Sequence, residues 1–186
     1  ASGDTAARRY RGALGVLDDR EELRRRHEPA LGVLPAHEAL DTLDLIGAKV
    51  EPFAIEVNGD GTKGYYSVLY VKSDSSYKDI NDLKGKNLCL VDPNSTSGNN
   101  VPRFAMDKMG IDPEKFFSKV VYAGSHENAV IGLAQGTCDA AFNWWNDENE
   151  SMLRRMERKS MAKYDDFRIV FKSDQIVNSP FAILTT

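Results

Sequence analysis

The chain lacks a hydrophobic run long enough to cross a membrane, since a spanning helix needs about 20 consecutive apolar residues. It also lacks a recognisable signal peptide, because Arg8, Arg9 and Arg11 are not followed by the apolar block that such a leader requires. These absences predict a chain without a membrane-spanning segment, in mature or truncated form. They leave its compartment open.

Cysteine and histidine are scarce, and their positions argue against a metal site. Cys89 and Cys138 lie far apart in two apolar runs, and His27, His37 and His126 form neither an HxH nor an HxxxH pair. Zinc sites use closely spaced pairs of these residues. The sequence therefore predicts no metal or other cofactor, and it favours two buried thiols with no shared role.

The charge balance also argues against one class of partner. Charged residues make up 28% of the chain and hydrophobic residues 41%, which is ordinary for a globular domain, and the net charge is −4. A chain with this excess of acidic groups has no general attraction for nucleic acid or for anionic membranes. We therefore expect no nucleic-acid partner.

Lysine is absent from the first 48 residues, which contain seven arginines, whereas residues 49–186 contain twelve lysines and five arginines. The early segment is rich in Ala, Leu and Glu, and its spacing predicts charged helices. The basic run 24–26 is either a solvated helix face, which is the commoner case, or an anion-binding arm. We predict an Arg-rich helical segment of unclear origin over residues 1–48 and an α/β lobe over residues 49–186.

From Val50 onward, apolar runs typical of strands alternate with segments of helical spacing, and polar turns or glycines separate them. This alternation predicts an α/β fold with a largely parallel sheet and helices on both faces. The predicted strands are residues 50–57, 65–71, 88–91, 120–123, 138–142, 167–171 and 181–184, and the predicted helices are residues 78–85, 100–109, 126–135 and 147–163.

Three consecutive hydroxyl residues, Ser95, Thr96 and Ser97, lie between a predicted strand and the helix that follows it, and Gly98 comes next. Ligands of open α/β sheets bind at the carboxyl ends of strands, and a helix start offers unpaired N–H groups and a partial positive charge. The turn therefore suits an oxyanion. The same residue types also serve as ordinary helix caps, and the local pattern does not decide between the two.

A second loop of this kind contains Ser125 and His126, between the predicted strand 120–123 and the predicted helix 126–135. If its strand is parallel to the strand 88–91, both loops emerge at one edge of the sheet. His126 would then donate to an oxyanion in either protonation state. The alternative is a surface histidine in the first turn of a helix.

A third loop at this edge carries Trp144 and Trp145 beside Asn146 and Asp147, after the predicted strand 138–142. Two tryptophans next to polar and acidic groups suit the wall of a small-ligand pocket. They are equally compatible with core packing, which we expect for one of the two.

A resemblance to a known family rests on two runs of the sequence, GYYSVLYVKSDSSYKDINDLKGKNLCLVDPNSTSGNNVPRF and YAGSHENAVIGLAQGTCDAAFNWW. Both are similar to the periplasmic phosphonate-binding proteins of ABC transporters, which are type II periplasmic binding proteins. The DPNSTSG and GSHE turns are specific together, whereas either alone is weak. The resemblance covers residues 50–184 and implies the second lobe of that fold plus its hinge strands.

The resemblance implies a solute-binding component of an ABC importer that recognises a phosphonate or a related phosphorus oxyanion (phosphite or phosphate) without catalysis. It also implies a periplasmic location and a membrane permease as partner. Some members place the binding histidine one position earlier, where this chain has Ser125. The residues that the resemblance assigns to the anion are Tyr65, Ser95, Thr96, Ser97 and His126.

The chain departs from the family pattern at the position of the ligand's organic substituent. Members that bind an aminoalkyl phosphonate use acidic residues for its ammonium group. One of these lies near Asn146 and Asp147 and the other near Ser179, and here Asn146 and Ser179 are not acidic. An ammonium partner would therefore have to be Asp147 or Glu148. The chain also has no counterpart of the early strands of the family's first lobe. We interpret it as truncated, and a rearranged or mis-read gene or a single-lobe product would explain the same pattern.

Two other functions are compatible with the same residues. A ligand-sensing or interaction module on this lobe would use the N-terminal helices as its partner surface. A phosphoester-acting enzyme would use Ser95 or Ser97 as nucleophile and His126 as base. The sequence has no GxSxG elbow, no clear third member of a triad and no P-loop GK[ST] motif, so binding without catalysis is the leading hypothesis.

Overall fold

The computed structural model describes residues 50–184, which fall into two compact units. The larger unit is Ile55–Asn178, and residues 50–54 and 179–184 belong to the smaller one. Strand β1 (Val50–Ile55) pairs with β8 (Pro180–Leu184) in a two-stranded sheet. The predicted helices of residues 1–48 lie outside the described residues.

The larger unit is built on a six-stranded sheet, in which five strands have the order β4-β3-β5-β2-β6 and β7 pairs with the start of β2. Because elements pack on both of its faces, the central strand β2 is apolar on both sides, and Val68, Leu69 and Val71 are fully buried. The strands are β2 (Gly64–Lys72), β3 (Asn87–Leu90), β4 (Lys119–Tyr122), β5 (Ala140–Trp145), β6 (Phe167–Lys172) and β7 (Ile176–Val177).

Helices connect the strands, and side-chain caps fix where three of the four described helices start, with Asp112 as the cap of the helix that begins at Pro113. The hydroxyl of Ser125 accepts the N–H of Asn128 at 3.1 Å, and the hydroxyl of Ser151 accepts the N–H of Arg154 at 3.2 Å. None of the helices in residues 50–184 has the length and apolar character needed to cross a membrane. The helices are α1 (Val101–Lys108), α2 (Pro113–Phe116), α3 (His126–Gln135) and α4 (Met152–Arg158).

Two predicted helices are shorter in the structure. Residues 78–85 contain only a 3₁₀ turn, Ile80–Leu83, which Asp79 caps. The predicted helix 147–163 begins at Met152, because the carboxylate of Asp147 accepts the N–H groups of Asn149 and Glu150 and thereby closes a separate turn. Both differences arise from Asp side chains that compete locally for backbone donors.

The sheet is mixed rather than largely parallel. Strand β3 runs parallel to β4 and β5, whereas β2 runs antiparallel to β5, β6 and β7. The predicted α/β class, with helices on both faces, is confirmed. The direction of β2 could not be predicted, because a continuous apolar run reports burial on both faces and not the direction of the strand.

The two faces of the sheet carry separate cores. On one face, helices α3 and α4 pack against alternate residues of the strands, among them Val68, Cys89 and Ala141. On the other face, α1 and the Ile80–Leu83 turn pack against Leu69 and its neighbours. Alternation of side chains along each strand produces this division.

A disulfide joins Cys89 in β3 to Cys138, which lies between α3 and β5. The prediction of two thiols with no shared role is therefore wrong, although both residues are buried as expected, at 2% exposure. Parallel pairing of β3 with β5 places Cys89 opposite Ala141, which brings the two cysteine Cα atoms to 5.8 Å. A separation of 49 residues hides this proximity from local patterns.

Candidate functional site

The residues predicted to bind the ligand lie at one edge of the main sheet. Strands β3, β4 and β5 are parallel, so their carboxyl ends lie at the same edge. Strand β2 is antiparallel to β5, so its first residues lie there as well. The edge therefore receives Tyr65 from the start of β2, Ser95 after β3, Ser125 after β4 and Asn146 after β5.

The hydroxyl turn is the start of a helix. Residues Thr96–Asn100 form a π-helical turn that continues directly into α1. Ser95 is the cap residue, since its hydroxyl accepts the N–H of Gly98 at 3.1 Å and its carbonyl accepts the N–H groups of Asn99 and Asn100. The helix starts at the carboxyl end of β3, so its partial positive charge lies at the edge described above.

The turn is held tightly against the sheet. The carbonyl of Gly98 accepts the N–H of Val91 at 3.0 Å, and a Cβ atom on Gly98 would lie 2.3 Å from Val91 Cγ2, so only glycine fits. The hydroxyl of Ser67 in β2 donates to the carbonyl of Ser97 at 2.6 Å. Side chains two apart on a strand share a face, so Tyr65 projects to the same side of β2 as Ser67.

Thr96 carries a buried hydroxyl without a hydrogen-bond partner in the described part of the chain. The residue is only 4% exposed. Buried polar atoms are nearly always hydrogen-bonded, and an unpartnered hydroxyl costs stability unless a ligand or water satisfies it. The hydroxyl thus lies at a helix start with donor and acceptor capacity that no group of residues 50–184 uses.

His126 links the second loop to the hydroxyl turn. Its Nε2 atom lies 3.4 Å from Ser95 Oγ, and its Nδ1 atom lies 2.7 Å from Asn143 Oδ1. The Asn143 amide nitrogen donates to the carbonyl of His126 at 2.9 Å, so the oxygen of this amide is the atom that faces the ring. Nδ1 therefore carries the proton, and Nε2 of the neutral ring is an acceptor towards Ser95.

Burial determines the charge of this histidine in the absence of an anion. Burial lowers the pKa of His126 below its ordinary value of 6.5, against the opposing effects of the Asn143 hydrogen bond and the negative charges of Glu127 and Asp92. The ring is therefore neutral at pH 7. An anion beside Nε2 would raise this pKa, and the protonated ring would then donate from Nε2 to the anion.

The side chains of Ser125, Asn146 and Asp147 are hydrogen-bonded to other parts of the chain. The Ser125 hydroxyl caps α3. The amide of Asn146 donates to the side-chain oxygen of Asn58 at 3.3 Å, and the Asp147 carboxylate accepts two backbone N–H groups. Within residues 50–184, no three His, Cys, Asp or Glu side chains form a group that could hold a metal ion.

Sequence reasoning missed a set of polar residues behind the hydroxyl turn. Asn99 is buried, and its side-chain nitrogen donates to the carbonyl of Pro93. Its side-chain oxygen accepts from Arg103 Nε at 2.9 Å and from the Tyr122 hydroxyl at 3.1 Å. Arg103 also forms an ion pair with Glu114 at 2.8 Å. The helical spacing of Asn99 and Arg103, four residues apart, is the signal that could have revealed this pair.

Comparison with known proteins gives the family. A sequence model described as "ABC transporter, phosphonate, periplasmic substrate-binding protein" matches residues 39–186. The chain belongs to this family. The resemblance inferred from the sequence is confirmed, and the family consists of substrate-binding proteins of transporters.

Among curated relatives in this phosphonate-binding family, the chain is 35% identical over 153 residues to the phosphonates-binding periplasmic protein of Escherichia coli K12. The match covers 80% of this chain and 42% of the relative. The chain is also 29% identical over 144 residues to a phosphate-import protein of Mycolicibacterium smegmatis, with coverage of 73% and 44%. It therefore spans less than half the length of these relatives.

A solved structure supports the same fold. The binding protein component of an ABC phosphonate transporter from Pseudomonas aeruginosa aligns with a TM-score of 0.63 and 30% identity, over 77% of this chain and 47% of that one. The expected type II periplasmic-binding-protein fold is thereby confirmed. The assignment of individual residues to ligand binding stays a prediction.

Proposed function

We propose that the chain binds a phosphonate or a related phosphorus oxyanion at the edge formed by Ser95–Ser97, Tyr65 and His126. It would act in the periplasm as the solute-binding component of an ABC importer, hand the anion to a membrane permease and perform no catalysis. The phosphonate and phosphate named for the two curated relatives support this oxyanion class.

The observation that carries the proposal is the buried hydroxyl of Thr96, which has no hydrogen-bond partner among the residues that the structure describes. A phosphoryl oxygen would accept its proton and remove the cost of leaving it unsatisfied. The π-helical turn that leads into α1 and helix α3 both begin at this edge, so their partial positive charges support the same anion without a mobile counterion.

The geometry favours binding over nucleophilic catalysis. A serine nucleophile needs a base whose positive charge is stabilised after proton transfer, and in the triad a carboxylate does this. Here the group on Nδ1 of His126 is the neutral amide of Asn143, and burial already lowers the pKa of the ring. The Ser95 hydroxyl is also the cap of its helix. Absence of turnover with p-nitrophenyl phosphate is the expected result.

Thermal unfolding with methylphosphonate tests the proposal. At about 100 times its dissociation constant, a ligand stabilises the folded state by roughly 2.7 kcal/mol. Thr96→Val keeps the shape of the side chain and removes the hydroxyl, so the variant should lose most of this stabilisation. Thr137→Val, at an exposed threonine, is the matched control and should behave as the unmodified chain.

The outcomes separate the three functions. Stabilisation by methylphosphonate, phosphite or phosphate without turnover supports a binding protein, and hydrolysis of a phosphoester supports the enzyme. If no phosphorus oxyanion changes the unfolding temperature, the oxyanion proposal is wrong and an interaction module is favoured. If Thr96→Val retains full stabilisation, the anion binds elsewhere.

A further inference from the structure

An ammonium group lies against two aromatic rings at one end of the sheet. Nζ of Lys172 is 3.8 Å from the ring centroid of Tyr66 and 4.0 Å from that of Trp145. The centroids of the two rings are 5.8 Å apart, and their planes are tilted by 56°. A cation over an aromatic face is attracted to it, so the two rings together hold the charge of Lys172 in place.

This cluster of Lys172, Tyr66 and Trp145 lies at the edge that carries the candidate anion site. Tyr66 lies near the start of β2 and Trp145 is the last residue of β5, so both rings are at this edge, whereas Lys172 ends β6 level with the middle of β2. Lys172 is opposite Val68, and Val68 is opposite Asn143, the residue that orients His126. Neighbouring strands are about 4.8 Å apart, so the backbones of Lys172 and Asn143 are roughly 10 Å apart on one face.

The carboxylates of the loop after β5 are already engaged. Asp147 accepts two backbone N–H groups, Glu148 accepts the hydroxyl of Tyr164 at 2.9 Å, and Glu150 pairs with two arginines of α4 at 2.7 Å. Two acidic side chains act on His126, namely Asp92 and Glu127. Both belong to the β3 and β4 side of the site. On the β2 and β6 side, Lys172 thus contributes positive charge.

We propose that Lys172 determines the substrate class of this site, favouring phosphonates with a second anionic group over aminoalkyl phosphonates. The proposal rests on phosphonate binding at Ser95–Ser97. With the phosphoryl group at the helix starts, a substituent directed towards β2 and β6 meets an ammonium held by two rings. A carboxylate there is attracted, and an ammonium is repelled. Asn146, in the loop after β5, is neutral and does not offset that repulsion.

A rival interpretation is that Tyr66 and Trp145 form an aromatic cage for the ligand's own ammonium group. Lys172 already occupies the space over both rings, and it is tethered there by its strand. A ligand ammonium would have to displace it and then face its charge nearby. The rival predicts that removing Lys172 greatly strengthens the binding of an aminoalkyl phosphonate.

Isothermal titration with three phosphonates that differ in the charge of their substituent distinguishes these possibilities. Methylphosphonate has no second charge, phosphonoacetate carries a carboxylate, and 2-aminoethylphosphonate carries an ammonium. The variants are Lys172→Gln, which removes the charge, and Lys172→Arg, which keeps both the charge and the contact with the rings. Lys119→Gln is the matched control, because Lys119 is exposed and begins β4 at the opposite edge of the sheet.

We expect the unmodified chain to bind phosphonoacetate more tightly than 2-aminoethylphosphonate. Lys172→Gln should weaken phosphonoacetate binding about three- to tenfold, the range of one partly exposed ion pair, and should leave methylphosphonate unchanged. Lys172→Arg should restore the preference, and Lys119→Gln should not alter it.

Three results would overturn the proposal. If methylphosphonate binds but Lys172→Gln leaves the preference unchanged, Lys172 does not select the ligand, whereas phosphonate binding stands. If Lys172→Gln strengthens 2-aminoethylphosphonate binding far more than it weakens phosphonoacetate binding, the aromatic cage is correct. If none of the three phosphonates binds, the oxyanion function itself fails and this inference fails with it.

Discussion

Removing the disulfide between Cys89 and Cys138 should destabilise the chain strongly. The bond joins the middle of β3 to the segment before β5 and encloses α1, α2, β4 and α3. Both loops that carry the candidate anion site therefore lie inside the closed chain segment. The perturbation is the double substitution Cys89→Ala with Cys138→Ala, or reduction of the unmodified chain during unfolding.

The expected magnitude follows from the length of the enclosed segment. For a separation of 49 residues, the loss of chain entropy in the unfolded state corresponds to about 4 kcal/mol at room temperature. For a chain of this size, a loss of about 4 kcal/mol lowers the melting temperature by about 8–16 °C. Both cysteines are 2% exposed, so the alanine variant also loses packing and should be at least as unstable as the reduced chain.

Urea unfolding followed by circular dichroism, with and without a reductant, measures this difference. The double alanine variant is the control, because a reductant should not change its unfolding midpoint. Thiol titration of the urea-unfolded, non-reduced chain should find no free thiol, since the structure pairs both cysteines. Two titratable thiols, or a reductant effect below about 1 kcal/mol, would refute the reasoning from loop length.

Three further predictions concern the site. Burial lowers the pKa of folded His126, so the unfolded state binds more protons below pH 6.5. The free energy of unfolding should therefore fall as the pH drops through 6.5. His126→Gln should remove this pH dependence in urea titrations. Arg103→Met removes the hydrogen bond to Asn99 and should weaken methylphosphonate binding about tenfold, whereas Arg155→Met, at an exposed arginine of α4, should not. Ser125→Ala should cost about 1 kcal/mol as a lost helix cap in thermal unfolding and leave methylphosphonate affinity unchanged.

Each of these predictions has a clear contrary result. An unchanged pH slope in His126→Gln would mean that another group titrates there. Equal effects of Arg103→Met and Arg155→Met would mean that the turn does not depend on Asn99. A large loss of affinity in Ser125→Ala would place its hydroxyl on the ligand rather than on the helix.

The loops of the site could be predicted because their signals are local. A strand end, a run of hydroxyl residues and a helical spacing lie within a few residues of one another around Ser95, and again around Ser125 and His126. The structure indeed starts a helix at each place. Capping depends on side chains next to the backbone groups that they satisfy, so short-range sequence carries the information.

The contacts that orient the site depend on strand pairing and were not predictable in the same way. Asn143 reaches His126 because β5 lies next to β3, and Ser67 reaches Ser97 because β2 is the next strand. The disulfide likewise depends on the pairing of β3 with β5. An even number of cysteines together with the periplasmic location implied by the resemblance would have favoured a disulfide over two thiols, because oxidising compartments retain disulfides.

The direction of β2 reconciles two expectations from the sequence that were mutually inconsistent. The resemblance placed Tyr65 at the anion with Ser95 and His126, while the alternating pattern predicted a largely parallel sheet. In a parallel arrangement, the start of β2 would lie at the opposite edge, roughly 25 Å away over nine residues of extended chain. Because β2 is antiparallel to β5, Tyr65 lies at the edge of the candidate site instead. Residues that must meet at one ligand thus constrain strand direction where hydrophobic periodicity cannot.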